Sequence, residues 1–235
     1  MIIALTKMPA SIRGIYGPKK DSLPERMRYL HPEAADAFKR ADRAIALVVT
    51  DMYRSAEASL MAVRAKRGAL PPGVSPHGYG LAIDLDITAT LRLQRLSSDP
   101  EDKADLDTAL EDYGWYCHRK DHRRGFEDWH YNYLGGVDQA KWLTACKRTK
   151  TTAPAVEARI QSLYGPWLTQ DVAGVQTLLS QLGMYSGAID GKLGPLSQEA
   201  IRAFQRAWGL REDGKAGPRT QRTLAFVTAK RTVTQ

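Results

Sequence analysis

The sequence predicts an α+β domain followed by a small all-α domain, and three observations carry that reading. Helix-like and strand-like segments alternate through residues 1–146, with too few strand–helix–strand crossovers for a doubly wound parallel sheet. Residues 147–155 are small, basic and proline-bearing with no apolar periodicity, which marks a linker. Residues 156–235 then carry a motif repeated 23 positions apart among helix-spaced apolar residues. A chain of 235 residues is long enough for two cores, and 43% hydrophobic with 26% charged residues is ordinary globular usage. That composition excludes collagen-like, coiled-coil and wholly disordered chains.

In the first domain, Pro32–Ala44 reads as a helix with proline in its first turn. Ile45–Tyr53, centred on Leu47, Val48 and Val49, reads as a strand, and Ser55–Lys66 as a second helix stopped at Gly68. Leu81, Ile83, Leu85 and Ile87 alternate with Ala82, Asp84 and Asp86, the period-two pattern of a strand with two distinct faces. Asp99-Pro100 opens a further helix with the stripe Leu106, Ala109, Leu110 and Tyr113, closed by Gly114. In the second domain, Asp190-Gly191-Lys192-Leu193-Gly194-Pro195 recurs as Asp213-Gly214-Lys215-Ala216-Gly217-Pro218. Asp-Gly signals a turn and Gly-Pro a helix start, so each copy predicts a turn feeding a helix. Val172, Val175, Leu178, Leu179 and Leu182, then Ala200, Ile201, Ala203 and Phe204, supply the apolar faces of a small helical bundle.

Thirty-four basic and 26 acidic residues give a net charge of +8. Residues 1–146 hold 21 basic and 20 acidic groups, and residues 147–235 hold 13 and 6, so the excess is in the last third. A basic region favours an anionic polymer or surface, whether nucleic acid, anionic lipid or bacterial wall. Two cysteines, Cys117 and Cys146, exclude a disulfide framework and read as ordinary reduced thiols. No apolar run is long enough to span a bilayer, and Met1–Leu5 is too short for a signal-peptide core, so the expected site of synthesis and residence is the cytoplasm unless another protein opens a path.

The chemical signal is densest at Ser75-Pro76-His77-Gly78-Tyr79-Gly80-Leu81-Ala82-Ile83-Asp84-Leu85-Asp86. Two carboxylates on one strand face are often no more than a solvated acidic edge. A histidine brought beside them by a glycine-containing loop adds the imidazole nitrogen that suits zinc. A second cluster is Phe126-Glu127-Asp128-Trp129-His130-Tyr131. With His130 as a third ligand, the set His, Asp, His leaves a fourth tetrahedral position for water, as in catalytic zinc sites. Glu127 would then be placed to take that water's proton. A surface acid and a half-buried histidine would give the same Glu-x-x-His pattern. His118 and His122 form a rival pair, but Arg119, Lys120, Arg123 and Arg124 around them oppose a cation.

Together, Ser-x-His-x-x-Gly-x-Ala-x-Asp and Glu-x-Trp-His resemble the zinc D-alanyl-D-alanine peptidases of bacterial walls and vancomycin resistance, whose fold is shared with lysostaphin-type peptidases and the Hedgehog signalling domain. The resemblance covers roughly residues 40–136 and implies a small antiparallel sheet with flanking helices. It implies Zn2+ held by His77, Asp84 and His130, with Glu127 as the catalytic base. It also gives a role to Asp51-Met52-Tyr53-Arg54-Ser55, where Arg54 would stabilise the oxyanion of a tetrahedral intermediate. Ser75, Asp86, Tyr79 and Trp129 are expected either to touch the ligands or to line the substrate groove. Residues 156 to about 228 resemble a three-helix peptidoglycan-binding module through Asp190-Gly191-Lys192-Leu193-Gly194, Ala203-Phe204-Gln205 and Gly209-Leu210-Arg211-Glu212-Asp213-Gly214.

The pair of resemblances implies a monomeric wall hydrolase acting on bacterial peptidoglycan, without nucleic acid as a partner, and tethered to its polymeric substrate. It resembles a bacteriophage endolysin that is made in the host cytoplasm and reaches the wall through holin pores. Glu127 points to a D-alanyl bond. Relatives that cut L-alanyl-D-glutamate usually have Asp at that position, a difference of one methylene that keeps their reaction as an alternative. A non-catalytic wall-binding protein with structural zinc is the alternative of another class.

Overall fold

The computed structural model describes residues 5–16, 22–65, 69–117, 127–135, 153–168 and 170–233. His118, His122, Cys146 and residues 147–152 of the expected linker lie outside these. Backbone proximity groups the chain into one unit of Ala4–Arg54 with Tyr79–Ile160, and another containing Ser55–Gly78 and Gln161–Gln235.

In the first unit, β1 (Thr6–Lys7) pairs antiparallel with β2 (Tyr29–Leu30), which leads into α1 (Pro32–Ile45). Proline at the start of α1 fits a position whose N–H has no intrahelical acceptor. Its buried face is Ala34, Ala35, Ala37, Phe38, Ala41 and Ile45, where small side chains let the backbone approach its neighbours closely. The helix stops at Ala46, which adopts a left-handed conformation at φ 56°. Ile45 therefore ends the helix and does not begin the strand, which is shorter than the apolar run predicts.

The main sheet is antiparallel, with order β3 (Val49–Asp51), β4 (Ala82–Leu85), β6 (His130–Tyr133), β5 (Trp115–Cys117). The helices α3 (Ile87–Leu93) and α4 (Pro100–Glu111) belong to the same unit. Asp99 caps α4 by accepting from the N–H groups of Glu101 and Asp102. Leu106 and Leu110 of α4, and Trp115, Ile83, Leu85 and Tyr131 of the sheet, are buried. The unit is thus α+β with a small antiparallel sheet.

Two expectations for the His77 segment change. The strand ends at Leu85, because Asp86 turns to cap α3, its Oδ1 accepting from the Ala89 N–H at 2.9 Å. Asp86 is therefore committed to a helix start and does not continue the acidic face of the strand. Tyr79, expected as a groove residue, is fully buried and ranks among the largest core side chains.

The second unit contains α2 (Ala56–Arg64), capped by Ser55, whose hydroxyl accepts from the Ala58 N–H at 3.2 Å. It also contains α6 (Val172–Gln181), α7 (Pro195–Ala207) and α8 (Pro218–Val233). The helix before them, α5 (Ala153–Leu168), begins within the last three residues of the expected linker. Val175, Leu179, Tyr185, Ala200, Ile201, Phe204 and Leu224 form the core of the second unit. Both predicted Asp-Gly turns are present, with Gly191 at φ 71° and Gly214 at φ 69°, and each leads to a proline that opens a helix.

Each of these loops is organised by one buried glutamine, which the sequence reading did not single out. The Gln176 side-chain amide donates to Asp190 Oδ1 at 2.9 Å, Lys192 O at 3.1 Å and Ser197 Oγ at 3.0 Å, while its oxygen accepts from the Gly191 N–H at 2.9 Å. Gln205 does the same in the second copy, with Asp213 Oδ1 at 2.9 Å, Lys215 O at 3.1 Å, Thr220 Oγ1 at 3.1 Å and the Gly214 N–H at 2.9 Å. The internal repeat is thus a repeat of hydrogen bonding as well as of residues. Both carboxylates are held below the usual carboxylate range. Asp190 is lowered chiefly by the Gln176 amide, and Asp213 chiefly by the Lys215 N–H and then by Gln205.

Candidate metal centre

His77 sits in the 3-10 turn Pro76–Tyr79, closed by a hydrogen bond from the Gly78 N–H to Ser75 O at 3.1 Å. Ser75 is buried and contributes that carbonyl. The chain then reaches β4 through Gly80, at φ 65°, whose carbonyl accepts from the His31 N–H at 2.9 Å. A Cβ at Gly80 would lie 2.6 Å from the His31 nitrogen, so this approach requires glycine.

Cross-strand register supplies the rest. Asp84 of β4 lies opposite His130 of β6, and on the other side opposite Asp51 of β3. His77, Asp84 and His130 each offer one ligand atom, and these atoms all lie within 4.8 Å of one another. The His130 Nδ1 to Asp84 Oδ1 distance is 2.7 Å. His77 is 2% exposed, and the side chains of Asp84 and His130 are each 13% exposed, so the donors are largely withdrawn from water. Two imidazoles and one carboxylate are the number and type of donors that catalytic zinc takes with a fourth position kept for water. Among the described residues this is the group of histidine and acidic side chains able to hold a metal ion.

A bulge in β3 lies just before Asp51. Val49 pairs with Leu85 and Asp51 with Asp84, so two steps along β3 match one along β4. Arg54 then folds back on Asp51, its Nε donating to Oδ2 at 3.1 Å and its Nη2 donating to the same oxygen. The pair is 24% and 14% exposed, which fixes the guanidinium beside the strand bearing Asp84. The sequence motif contained Asp51, but not its role as the group that holds Arg54, three residues on.

Glu127 lies one turn ahead of His130, and its carbonyl accepts from the His130 N–H at 3.2 Å. Its φ of 54° places a non-glycine residue in the left-handed region, a strain of about 1–3 kcal/mol that surrounding structure must sustain and that clusters at functional sites. Trp129 is 40% exposed and, with Thr50, Leu85, Asp86, Lys103 and Asp128, lines a cleft of about 480 Å³. Leu85 and Asp84 are adjacent on β4 and point to opposite faces, so the cleft flanks the strand end that carries Asp84 from the other side.

Two further residues join the site that sequence reasoning did not identify. Asn132, 1% exposed, places its amide oxygen 3.1 Å from His130 Nε2. Tyr16 lies two residues beyond Gly14, which bridges to Val49 of β3. Burial raises its phenol above the ordinary tyrosine range, Asp51 and Asp84 add to the effect, and Arg26 and Arg54 oppose it. Neither residue stands in a recognisable motif, and only the strand order brings them to this face.

An antiparallel sheet carrying this cluster stands in a chain that also bears a helical domain built on repeated Asp-Gly loops, and each of these regions matches a known family. Residues 30–136 match the D-alanyl-D-alanine carboxypeptidase family, VanY, and residues 169–224 match the peptidoglycan-binding domain family. It is 41% identical over 68 residues to an N-acetylmuramoyl-L-alanine amidase of Mycobacterium tuberculosis, covering 29% of this chain and 16% of that protein. It is 36% identical over 83 residues to a spore cortex-lytic enzyme of Oceanobacillus iheyensis, covering 35% of this chain and 29% of that protein. The chain therefore spans under a third of either relative. The solved structure of the LdcB LD-carboxypeptidase aligns at a TM-score of 0.44 with 20% identity, covering 62% of this chain and 74% of that one. No helix among the described residues is long and apolar enough to cross a membrane.

Proposed function

We propose that this protein is a zinc-dependent peptidoglycan peptidase that hydrolyses a D-alanyl amide bond in the stem peptide or cross-link of the bacterial wall. The observation that carries the reading is the convergence of His77, Asp84 and His130 to within 4.8 Å on a sheet whose next turn holds Glu127 in a left-handed conformation. Zinc bound there would acidify water and polarise the scissile carbonyl. The Glu127 carboxylate accepts the proton of the attacking water and delivers it to the leaving amine nitrogen. Arg54, held by Asp51, turns the remaining N–H groups of its guanidinium toward the oxyanion that develops on the carbonyl. The Asp-Gly-loop domain raises the local concentration of wall polymer around the peptidase domain.

The test is digestion of purified peptidoglycan by wild-type protein, Glu127→Ala and EDTA-treated protein, with mass spectrometry of the released fragments. Loss of cleavage in both altered samples, with release of D-alanine or a D-alanyl-linked fragment by wild type, is the expected result. Fragments with new D-glutamate N-termini would replace the D-alanyl bond by L-alanyl-D-glutamate. Wall binding without cleavage by wild type would refute the enzyme reading.

A further inference from the structure

The environment of His130 defines which of its nitrogens is available as a ligand, and the residue that decides this is Asn132. Residues 130 and 132 lie two apart on β6 and so share a face. Their cross-strand partners on β4 are Asp84 and Ala82 respectively. Alanine opposite Asn132 leaves the short amide room to turn toward the imidazole, and the amide oxygen reaches Nε2 at 3.1 Å. A carbonyl oxygen only accepts, so this contact is a hydrogen bond in the tautomer that carries the hydrogen on Nε2. In that tautomer the lone pair is on Nδ1, the nitrogen that lies 2.7 Å from Asp84 Oδ1. Burial of Asn132 at 1% exposure keeps water from substituting for its oxygen.

We propose that Asn132 is a positioning residue for the metal centre: its amide oxygen fixes the Nε2–H tautomer and ring orientation of His130, so that Nδ1 is presented as the ligand beside Asp84. The proposal rests on the zinc reading above and adds to it a residue outside the three ligands and the base. It also predicts which chemical property of position 132 matters, namely an acceptor oxygen and not shape or an amide donor.

The experiment is a zinc titration of the full chain against a chromogenic chelator, comparing wild type, Asn132→Leu and Asn132→Asp, with circular dichroism of the metal-free proteins as a folding check. Loss of such an outer hydrogen bond typically weakens metal binding about 10–100-fold. Asn132→Leu is expected to fall by that factor. Asn132→Asp, which keeps an acceptor oxygen at the same reach, is expected to stay within about threefold of wild type, since the outer acceptor is what sets the effect. Wild-type affinity in Asn132→Leu would overturn the proposal, as would equal losses in both variants. If wild-type protein takes up no zinc, the zinc reading fails and this inference fails with it. Zinc uptake by wild type with no effect of Asn132→Leu overturns this inference alone.

Discussion

Removing the Gln205 side chain should unlock the second Asp-Gly loop, and the cost follows from its four hydrogen bonds. In Gln205→Ala the buried Gly214 N–H loses its acceptor, and Lys215 O and Thr220 Oγ1 lose a donor, while the exposed Asp213 can turn to water. A buried group left unsatisfied costs about 1–3 kcal/mol, and a hydroxyl recovers part of this by rotating. For the buried Gly214 N–H alone this is about 1–3 kcal/mol, a sizeable share of the ~5–15 kcal/mol stability of an ordinary domain. Gln205→Glu tests the same reasoning at constant volume. It keeps the acceptor for Gly214 but sets a second carboxylate against Asp213, where the amide nitrogen now lies 2.9 Å away. It should therefore cost at least as much as alanine at neutral pH. Urea unfolding of the full chain, with hydrogen exchange of the Gly214 amide and the α7 amides, measures both. A loss below about 0.5 kcal/mol in either variant, the range of ordinary surface substitutions, would refute the reasoning. Gln176 has a partner set that shares no residue with that of Gln205, so Gln176→Ala should add to Gln205→Ala within about 0.3–0.5 kcal/mol.

Glu127→Gln should lower turnover of stem peptide by about 10²–10⁴-fold, the usual contribution of a general base, while zinc uptake measured by chelator competition stays at the wild-type level. Asp51→Ala should release the Arg54 guanidinium from β3 and reduce kcat/KM about 10²-fold, the scale expected when a catalytic group is misplaced by an ångström. Unchanged kinetics in that variant would show that Arg54 needs no such anchor. The carboxylates of Asp190 and Asp213 titrate below their unfolded value of 3.8, so the stability they add is complete above that pH and is lost as pH falls through it toward their folded values. Thermal unfolding of the loop-bearing helical domain between pH 5 and pH 2 should show this acid limb, and Asp190→Asn with Asp213→Asn should flatten it.

Local patterns were legible and cross-strand arrangements were not. His77 and Asp84 are close along one segment, where a turn and the start of a strand leave little freedom, so the sequence already places them near one another. The helix starts at Pro32, Ser55 and Pro100 were readable because caps and prolines act within one turn. The strand β6 was hidden because His130, Tyr131, Asn132 and Tyr133 mix polar and aromatic residues on both faces, and no apolar alternation marks it. Without that strand, Asn132 could not be placed beside His130. Gln176 and Gln205 were invisible for a similar reason: each acts on a loop that returns to it only after the chain has turned. Tyr79 looked like a groove residue because it sits within the ligand motif, but the 3-10 turn directs it into the core.

The bulge in β3 gives one residue an unusual position. Thr50 stands between Val49, paired with Leu85, and Asp51, paired with Asp84, and so has no opposite number on β4. Deleting it would leave Val49 and Asp51 as consecutive residues facing consecutive partners, a regular ladder with the acid still against Asp84. The threonine is thus an insertion within a strand that spares the register of the ligand face. Thr50 also lines the 480 Å³ cleft, so the inserted residue adds to that wall while Asp51 stays opposite Asp84.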